Sequence, residues 1–545
     1  MKTLRLAVAQ TNPVVGDFAG NLETALNLMS EASARGVDLL VFGELSLTGY
    51  PLGDLSYRQD IVAASERSLA ELVRRSSRSG IGDLTVIVGC VTMAAKELEP
   101  SGAQRSAAIA HNSVVAFRGG AELGRYHKRL LPNYDVFDDW RNFVPGEHPL
   151  AIEIRGKRVA VYICEDIWGV EKPFAQELTE LAPELVVAVN GSPFTLGKEL
   201  ERREVASSFA NGTPILYSNL LGGQDELVFD GDSFLLDADG NEVFCAEAIS
   251  GVSEVTQVAP ALTAVSAGAS LEKTWQMLVM GLRDYCLKSG QSRVVLGLSG
   301  GIDSAVTATL AVDALGSSSV LGVSLPSRYS SEHSREDAVI LAERLGIEFR
   351  TIPIEGMHRT ISETIELSGV ADENAQARIR ALLLMGIANQ ESRMLLSTGN
   401  KSEIAVGYST IYGDAAGGFA PLKDVYKTLV WRLASWRNET AGVDLIPQSS
   451  ISKAPSAELR PGQVDQDSLP EYSVLDDILE KLIERNHTVA EVSASGHDRE
   501  LVARVDALVR AAEWKRSQGA IGTKITRVAF GSGRRVPIAT RFGEL

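Results

Sequence analysis

The segment GLSGGIDS, Gly297 to Ser304, joins the apolar run SRVVLGL to a helical pattern that starts at Ile302. Adjacent glycines let a backbone turn tightly and approach a phosphate. The N-terminus of the next helix offers unpaired N–H groups to an anion. Gly297, Leu298, Ser299, Gly300, Gly301, Ile302, Asp303 and Ser304 therefore read as a phosphate-binding loop, with Ser299 and Ser304 as extra hydroxyl donors. Asp303 is negative and suits a phosphate only through a Mg²⁺ between them. No Lys-Ser/Thr pair closes the loop, so it is not a Walker loop. The bland alternative is a glycine turn that merely enters a helix.

A second set of reactive residues lies upstream. Glu44 follows VDLLVFG, Lys128 follows GRYH and Cys164 follows RVAVYI. A strand end can hold a side chain rigidly at a cleft. A thiolate is a strong nucleophile. A carboxylate can take the thiol proton and pass it to a leaving group. A fixed cation stabilises the oxyanion and keeps the carboxylate ionised. Singly, the cysteine also reads as a core residue and the two charges as solvated surface.

Longer strings narrow these readings. SGGIDS resembles the loop of the N-type ATP pyrophosphatases, which split ATP into AMP and pyrophosphate to adenylate a substrate. FGELSLTGYP, YHKRLLPNYDVFDD and ICEDIW resemble the three signature segments of the nitrilase (carbon–nitrogen hydrolase) superfamily. That resemblance spans most of residues 1–256 and implies an α-β-β-α sandwich with Glu44, Lys128 and Cys164 as its catalytic residues.

The order of the two halves resembles the glutamine-dependent NAD⁺ synthetases in their shorter bacterial form, through nearly the whole chain. The resemblance implies a ligase that takes ammonia from L-glutamine and passes it through an internal tunnel. The ammonia amidates deamido-NAD⁺, activated by ATP as an acyl-adenylate. The products are NAD⁺, AMP, diphosphate and glutamate. Tyr134, Ser192 and Lys198 fall at glutamine-holding positions, and the Lys198 cation suits an α-carboxylate.

The same resemblance assigns residues in the second half. NAQARIRALLLM (374–385) is similar to a helix that contacts deamido-NAD⁺, with Asn374 at a binding position. In LLSTGNKSEIAVGYSTIYGD (395–414), Thr398 meets ATP and Glu403 meets the substrate or metal. Lys427 falls near the ATP phosphates and Lys515 near the dinucleotide, while residues 453–472 match a mobile loop over the site. Mg²⁺ falls to Asp303 and Glu403. Some ammonia-dependent relatives carry Lys and Asp where this chain has Ile411 and Gly418. The family's synthetase domain dimerises, which implies a homodimer or larger homo-oligomer.

Two other readings predict different sequences. Among other amidotransferases, GMP synthetase pairs with a different glutaminase fold. Asparagine synthetase needs an N-terminal cysteine, which Met1-Lys2 lacks. A nucleotide-binding sensor or scaffold predicts a broken triad or loop, and both strings are intact.

The elements that must position these residues are legible as patterns. Apolar runs at 4–10, 37–44, 84–91, 112–118, 158–165, 185–192 and 214–221 read as strands, with helical patterns at 21–34 and 60–78. They form one layered α/β unit over 1–256. Residues 257–269 read as a linker. Over 270–545, strands at 292–299, 319–326 and 347–354 alternate with helices at 270–289, 302–315 and 331–345. That alternation argues for a doubly wound parallel sheet, the adenine nucleotide α-hydrolase-like arrangement. Helices are also expected near 472–485 and 498–517, after a Pro- and Ser-rich loop at 454–470.

Composition removes other functions. The 545 residues suit two to four domains at roughly 100–200 residues each. A net charge of -17 argues against nucleic acid as a partner. Cys90, Cys164, Cys245 and Cys286 show no metal-ligand spacing and fit a reducing compartment. No apolar run approaches the roughly 20 residues of a membrane span. The chain reads as cytoplasmic.

Overall fold

Alternation along the first strands fixes how they stack. In β1 (Leu6–Gln10) and β2 (Leu39–Phe42), Leu6, Val8, Leu39 and Val41 share one apolar cluster, while Ala7, Ala9, Leu40 and Phe42 share another. Side chains two apart lie on one face of a strand, so each strand feeds two layers. The structure is a computed structural model and describes residues 4–78, 80–94, 108–169, 174–246, 251–254 and 267–540.

The remaining strands of the first half are β3 (Thr85–Met93), β4 (Ala110–Arg118), β5 (Ala121–His127), β6 (Leu150–Ile154), β7 (Lys157–Ile163), β8 (Leu185–Asn190) and β9 (Ile215–Asn219). After them come β10 (Leu221–Gln224), β11 (Leu227–Asp230), β12 (Phe234–Leu236), β13 (Glu242–Cys245) and β14 (Gly251–Glu254). One six-stranded sheet runs β14-β1-β2-β3-β4-β5 and the other β13-β12-β9-β8-β7-β6. Inward residues of both sheets, such as Val41 and Val114 with Val161 and Val187, form the central core. Helices α1 (Phe18–Ala34) and α2 (Gln59–Arg75) cover the first sheet through Leu26, Met29, Leu69 and Leu72. The short α3 (Asp139–Asn142) follows β5, and α4 (Phe174–Leu181) and α5 (Lys198–Ala210) add Phe174, Leu178 and Phe209 to the core. The expected α-β-β-α sandwich is present.

In the second half the parallel strands β15 (Val294–Gly297), β16 (Val320–Ser324), β17 (Glu348–Thr351) and β18 (Met394–Leu395) take the order β17-β16-β15-β18. Strand order reverses beside β15, and such a switch point opens a crevice at the carboxyl ends of the strands. GLSGGIDS begins at that end. The helices are α6 (Ala267–Lys288), α7 (Ile302–Leu315), α8 (Glu332–Leu345), α9 (Glu355–Ile365), α10 (Val370–Glu391), α11 (Lys401–Val406) and α12 (Lys427–Ala441). Ile379, Leu384 and Ala388 of α10 pack on Val295, Leu321 and Val323.

The described residues form two compact units, one within 1–224 and 228–265 and the other within 225–227 and 266–545. Most of the expected linker 257–269 lies outside the described residues, and 267–269 already belong to α6. The helix expected at 472–485 is α-helical only over Tyr472–Leu479 and passes into a π-helical turn at Glu480–Glu484. That expected at 498–517 divides into Arg499–Ala511 and Glu513–Arg516.

Candidate active sites

Glu44, Lys128 and Cys164 come together although their strands lie in different sheets. Glu44 Oε1 accepts from Lys128 Nζ at 2.7 Å and from Asn112 Nδ2 at 2.7 Å. Glu44 Oε2 accepts from the Gly191 N–H at 2.8 Å. Lys128 Nζ also donates to Asp139 Oδ2 at 2.6 Å. All of these side chains are buried. Burial works to discharge Lys128, but Asp139 and Glu44 outweigh it and hold the ammonium well above its usual range. The site therefore keeps a permanent cation. Burial, followed by the Glu44 charge, pushes the Cys164 thiol up. Cys164 is therefore a thiol near neutral pH.

Local backbone sets the nucleophile. Cys164 follows β7 directly and opens a short 3₁₀ turn, Cys164–Ile167, with φ at +42°. A non-glycine residue in the left-handed region costs roughly 1–3 kcal/mol and persists only where its surroundings enforce it. Asp166 does the enforcing. Its Oδ1 accepts from the N–H groups of Leu130 at 2.7 Å and Arg129 at 3.1 Å. Its Oδ2 accepts from Tyr126 Oη at 2.9 Å and Ile163 N at 3.2 Å. One buried carboxylate thus ties the segment carrying Lys128 to the turn carrying Cys164.

The three glutamine candidates are not equivalent. Tyr134 is half exposed and its hydroxyl donates to both Glu165 oxygens, at 2.9 and 3.0 Å. Lys198, the first residue of α5, acts electrostatically on Glu165 and lies 5.9 Å from the Trp168 ring centre. These groups surround the residue next to the nucleophile. Ser192 is buried, and its Oγ accepts from Arg202 Nε at 3.2 Å.

The nucleotide loop borders a cavity of about 250 Å³. Gly297, Leu298, Ser299, Gly301 and Thr398 line it, with Arg380, Thr410 and Asp414. Gly300 has φ at +79°, and a Cβ there would lie 2.1 Å from the Ser334 carbonyl oxygen, so only glycine fits. Arg380 Nε donates to the Leu325 carbonyl at 2.9 Å, and burial lowers its guanidinium to about 10. Ser304 Oγ lies 3.2 Å from Ser299 Oγ, closing the loop on itself.

Asp303 and Glu403, both partly exposed, share the buried ammonium of Lys427. Lys427 Nζ donates to Asp303 Oδ2 and, at 3.0 Å, to Glu403 Oε1. Asn400 Nδ2 donates to Asp303 Oδ1 at 2.9 Å. Burial raises the Glu403 carboxyl to about 7 despite Lys427. Burial would also discharge Lys427, but Asp303 and Glu403 prevail and hold its ammonium above the usual range. Helix α11 is anchored from below. Lys401 Nζ contacts Asp424 at 2.8 Å, Glu484 at 2.5 Å and Thr526 Oγ1 at 2.6 Å, so a fully buried ammonium fixes the turn carrying Asn400 and Glu403.

The dinucleotide candidates scatter more. Asn374 Oδ1 accepts from Thr410 Oγ1 at 2.7 Å, beside the cavity. Lys515 Nζ instead donates to the carbonyls of Gly407 and Ser409, each at 2.8 Å. At the position of departure, the buried Ile411 offers its carbonyl to Arg378 Nε at 3.2 Å, and Gly418 N donates to the Leu395 carbonyl at 2.8 Å.

Sequence reasoning missed Asn112, Asp139, Glu165, Asp166, Asp414 and Glu458. All but Asn112 carried a signal. Asp139 closes the string YHKRLLPNYDVFDD, Glu165 and Asp166 follow Cys164 in ICEDIW, Asp414 closes the string 395–414, and Glu458 lies within 453–472.

Residues 5–260 match a family model described as carbon-nitrogen hydrolase, and 274–519 match one described as NAD synthase. A glutamine-dependent NAD⁺ synthetase of Thermotoga maritima is 41% identical, with all of both chains covered. One from Acinetobacter baylyi is 39% identical over 99% of this chain and 98% of its own. The chain belongs to the glutamine-dependent NAD⁺ synthetase family. Both expected families are therefore present in the expected order. A solved glutamine-dependent NAD⁺ synthetase of Acinetobacter baumannii, in complex with adenosine diphosphate, superposes with a TM-score of 0.75 at 37% identity, covering 98% of each chain. One from Cytophaga hutchinsonii, 22% identical, has the same fold, with a TM-score of 0.82 over 99% of this chain and 98% of its own. The NAD synthase family forms carbon–nitrogen bonds and uses ATP as co-substrate. Among the described residues no helix is long and apolar enough to cross a membrane.

Proposed function

We propose that this chain amidates deamido-NAD⁺ to NAD⁺ with ammonia from L-glutamine, at the expense of ATP. The observation that carries it is one chain holding a buried Glu44–Lys128 pair beside Cys164 and, separately, the GLSGGIDS loop beside the Asp303–Lys427–Glu403 cluster. Residues 1–256 would be the glutaminase and 270–545 the synthetase, joined by 257–269.

In the first unit Cys164 Sγ bonds to the side-chain amide carbon of glutamine while Glu44 takes the thiol proton. Lys128 stabilises the oxyanion. The C–N bond breaks as Glu44 returns the proton to nitrogen, and ammonia leaves. Glu44 then takes a proton from water, which attacks the thioester; the C–S bond breaks, Glu44 returns the proton to Sγ, and glutamate leaves. Glu165 suits the α-ammonium of glutamine and Lys198 its α-carboxylate, with Tyr134 and Ser192 as neighbouring polar contacts.

In the second unit a nicotinate carboxylate oxygen attacks the α-phosphorus of ATP and diphosphate departs. Ammonia attacks the acyl carbon and AMP leaves. The loop from Gly297 to Ser304, Thr398 and Lys427 bind ATP, while Asn374, Glu403 and Lys515 serve the dinucleotide. Ammonia must travel between the sites sheltered from water, since in water it would be protonated and lost. Asp303 and Glu403 would hold a Mg²⁺, which when bound offsets the charge of the phosphates. The donor set fits. Among the described residues no group of three or more metal-ligating side chains gathers, and Mg²⁺ is commonly held by one or two carboxylates plus phosphate oxygens and water. The two carboxylates now share one ammonium, Lys427, so they already accept a cation between them.

The test is stoichiometry. With deamido-NAD⁺, ATP and glutamine, AMP and glutamate should appear one for one with NAD⁺, and other carboxylic acids should release no AMP. AMP release with a different acid would sink the substrate assignment. We place the chain in the cytoplasm and expect a homodimer or larger homo-oligomer. Leu382 and Met385 of α10 expose 69% and 40% of their surface, one turn apart. Sedimentation at micromolar concentration should show no monomer.

A further inference from the structure

The stretch from Lys453 to Leu469 contributes Lys453, Ser456, Ala457, Glu458 and Leu459 to the lining of the nucleotide cavity. It has little regular structure, apart from a short turn at Asp465–Asp467. Side chains hold it in three places, one of them at Asp465, whose Oδ2 accepts from Tyr472 Oη at 2.8 Å. Towards α10, Gln376 Nε2 donates to the Leu459 carbonyl at 3.0 Å and Arg460 lies 3.5 Å from Glu373. Towards α8, Glu458 makes most of the grip. Glu458 Oε1 accepts from Ser331 Oγ at 2.9 Å and Ser334 Oγ at 2.6 Å, and Oε2 accepts from Ser331 N at 3.2 Å. Ser331 caps α8, so the carboxylate sits at the positive end of a fourteen-residue helix. Lys453 Nζ completes the seat, 2.6 Å from Ser334 Oγ.

Two further facts show what the seat is near and what it asks of the chain. Glu458 has φ at +48°, a strained conformation for a residue with a side chain, and its N–H is held by Ser456 Oγ at 3.1 Å. Ser334, the residue it grips, is also the residue whose carbonyl lies where a Cβ of Gly300 would be. The grip is therefore anchored directly against the phosphate-binding turn. A segment held by few, mostly side-chain, hydrogen bonds opens locally at low cost, so loss of one grip should change how often it opens.

We propose that Glu458 is the latch of this segment, a positioning residue whose carboxylate closes residues 453–467 over bound nucleotide without taking part in the chemistry. The proposal rests on the cavity being the ATP site. Glu458→Ala removes the acceptors, and Glu458→Gln keeps one oxygen but not the charge. In the full chain, the ATP KM of Glu458→Ala should rise about tenfold, as expected for lost hydrogen bonds to a charged group. Glu458→Gln should rise by less. At saturating ATP, kcat should stay within about twofold, and glutamine hydrolysis without ATP should not change. Ser334→Ala, which removes a donor and leaves Glu458 in place, should raise the KM in the same direction by a smaller factor. Without nucleotide, hydrogen exchange over 454–469 should be faster in Glu458→Ala than in the unaltered chain. Equal exchange in the two would overturn the latch outright. An unchanged ATP KM would overturn its role in holding nucleotide, and a fall in kcat alone would make Glu458 part of the chemistry instead. Whether ATP slows exchange over 454–469 in the unaltered chain tests the cavity assignment separately.

Discussion

Cys164→Ala should abolish NAD⁺ formation from glutamine, with a loss of roughly 10⁴-fold or more, as for removal of a covalent nucleophile. Synthesis from added ammonium should persist at the rate of the unaltered chain. The asymmetry follows from where Cys164 sits. It belongs to the turn after β7 in the first unit and is not among the residues that line the nucleotide cavity. Alanine keeps the Cβ and tolerates the left-handed backbone no worse than cysteine does, so the turn should survive. Steady-state rates with either nitrogen source, alongside a melting curve, check this. Loss of both activities in a folded variant would mean that the two reactions are not divided as proposed.

Asp303→Ala should do the reverse to the second unit. Synthesis should fall by roughly a hundredfold to a thousandfold with glutamine and with ammonium alike, the scale seen when one preorganised charge partner is removed. The substitution takes away one carboxylate on Lys427 and the acceptor of Asn400 Nδ2, so both the ammonium and α11 lose a fixed reference. Glutamine hydrolysis measured without ATP should be untouched. Synthesis that stays within a few-fold of the unaltered chain would remove Asp303 from the site.

Residues close in sequence were the legible ones. GLSGGIDS could be read because strand, turn and helix N-terminus are contiguous, and Ile302–Leu315 forms over the span that the pattern indicates. Cys164 and Lys128 were legible because apolar runs end just before them. Their partners were not, because Asn112 and Asp139 reach Glu44 and Lys128 only after β4, β5 and α3 are assembled. β5 was missed because most of it is exposed, and AELGRYH shows no alternation of apolar residues. Lys198 and Tyr134 were found at the mouth of the site, but the Glu165 they surround was hidden by its reading as part of a motif. Lys401 was not singled out, because only the fold brings Asp424, Glu484 and Thr526 to it.

The carboxylate that ties Lys128 to Cys164 has a consequence for behaviour in acid. Burial pushes Asp166 up to about 6, and the backbone N–H of Leu130 and the Tyr126 hydroxyl draw it only partly back. Above that pH it is an acceptor for four donors. Below it one oxygen carries a hydrogen, which faces donors, and at least one tie must loosen. Glutamine hydrolysis should therefore fall as pH drops through about 6. The same shift works the other way on folding. A carboxyl raised above its unfolded value near 3.8 binds a proton more readily when folded, so between about 4 and 6 its contribution to stability grows as pH falls. Mild acid should switch off the nucleophile in a chain that stays folded, and return to neutral pH should restore it without a refolding step. Circular dichroism and glutamate release, followed together across that range and back, would separate the two.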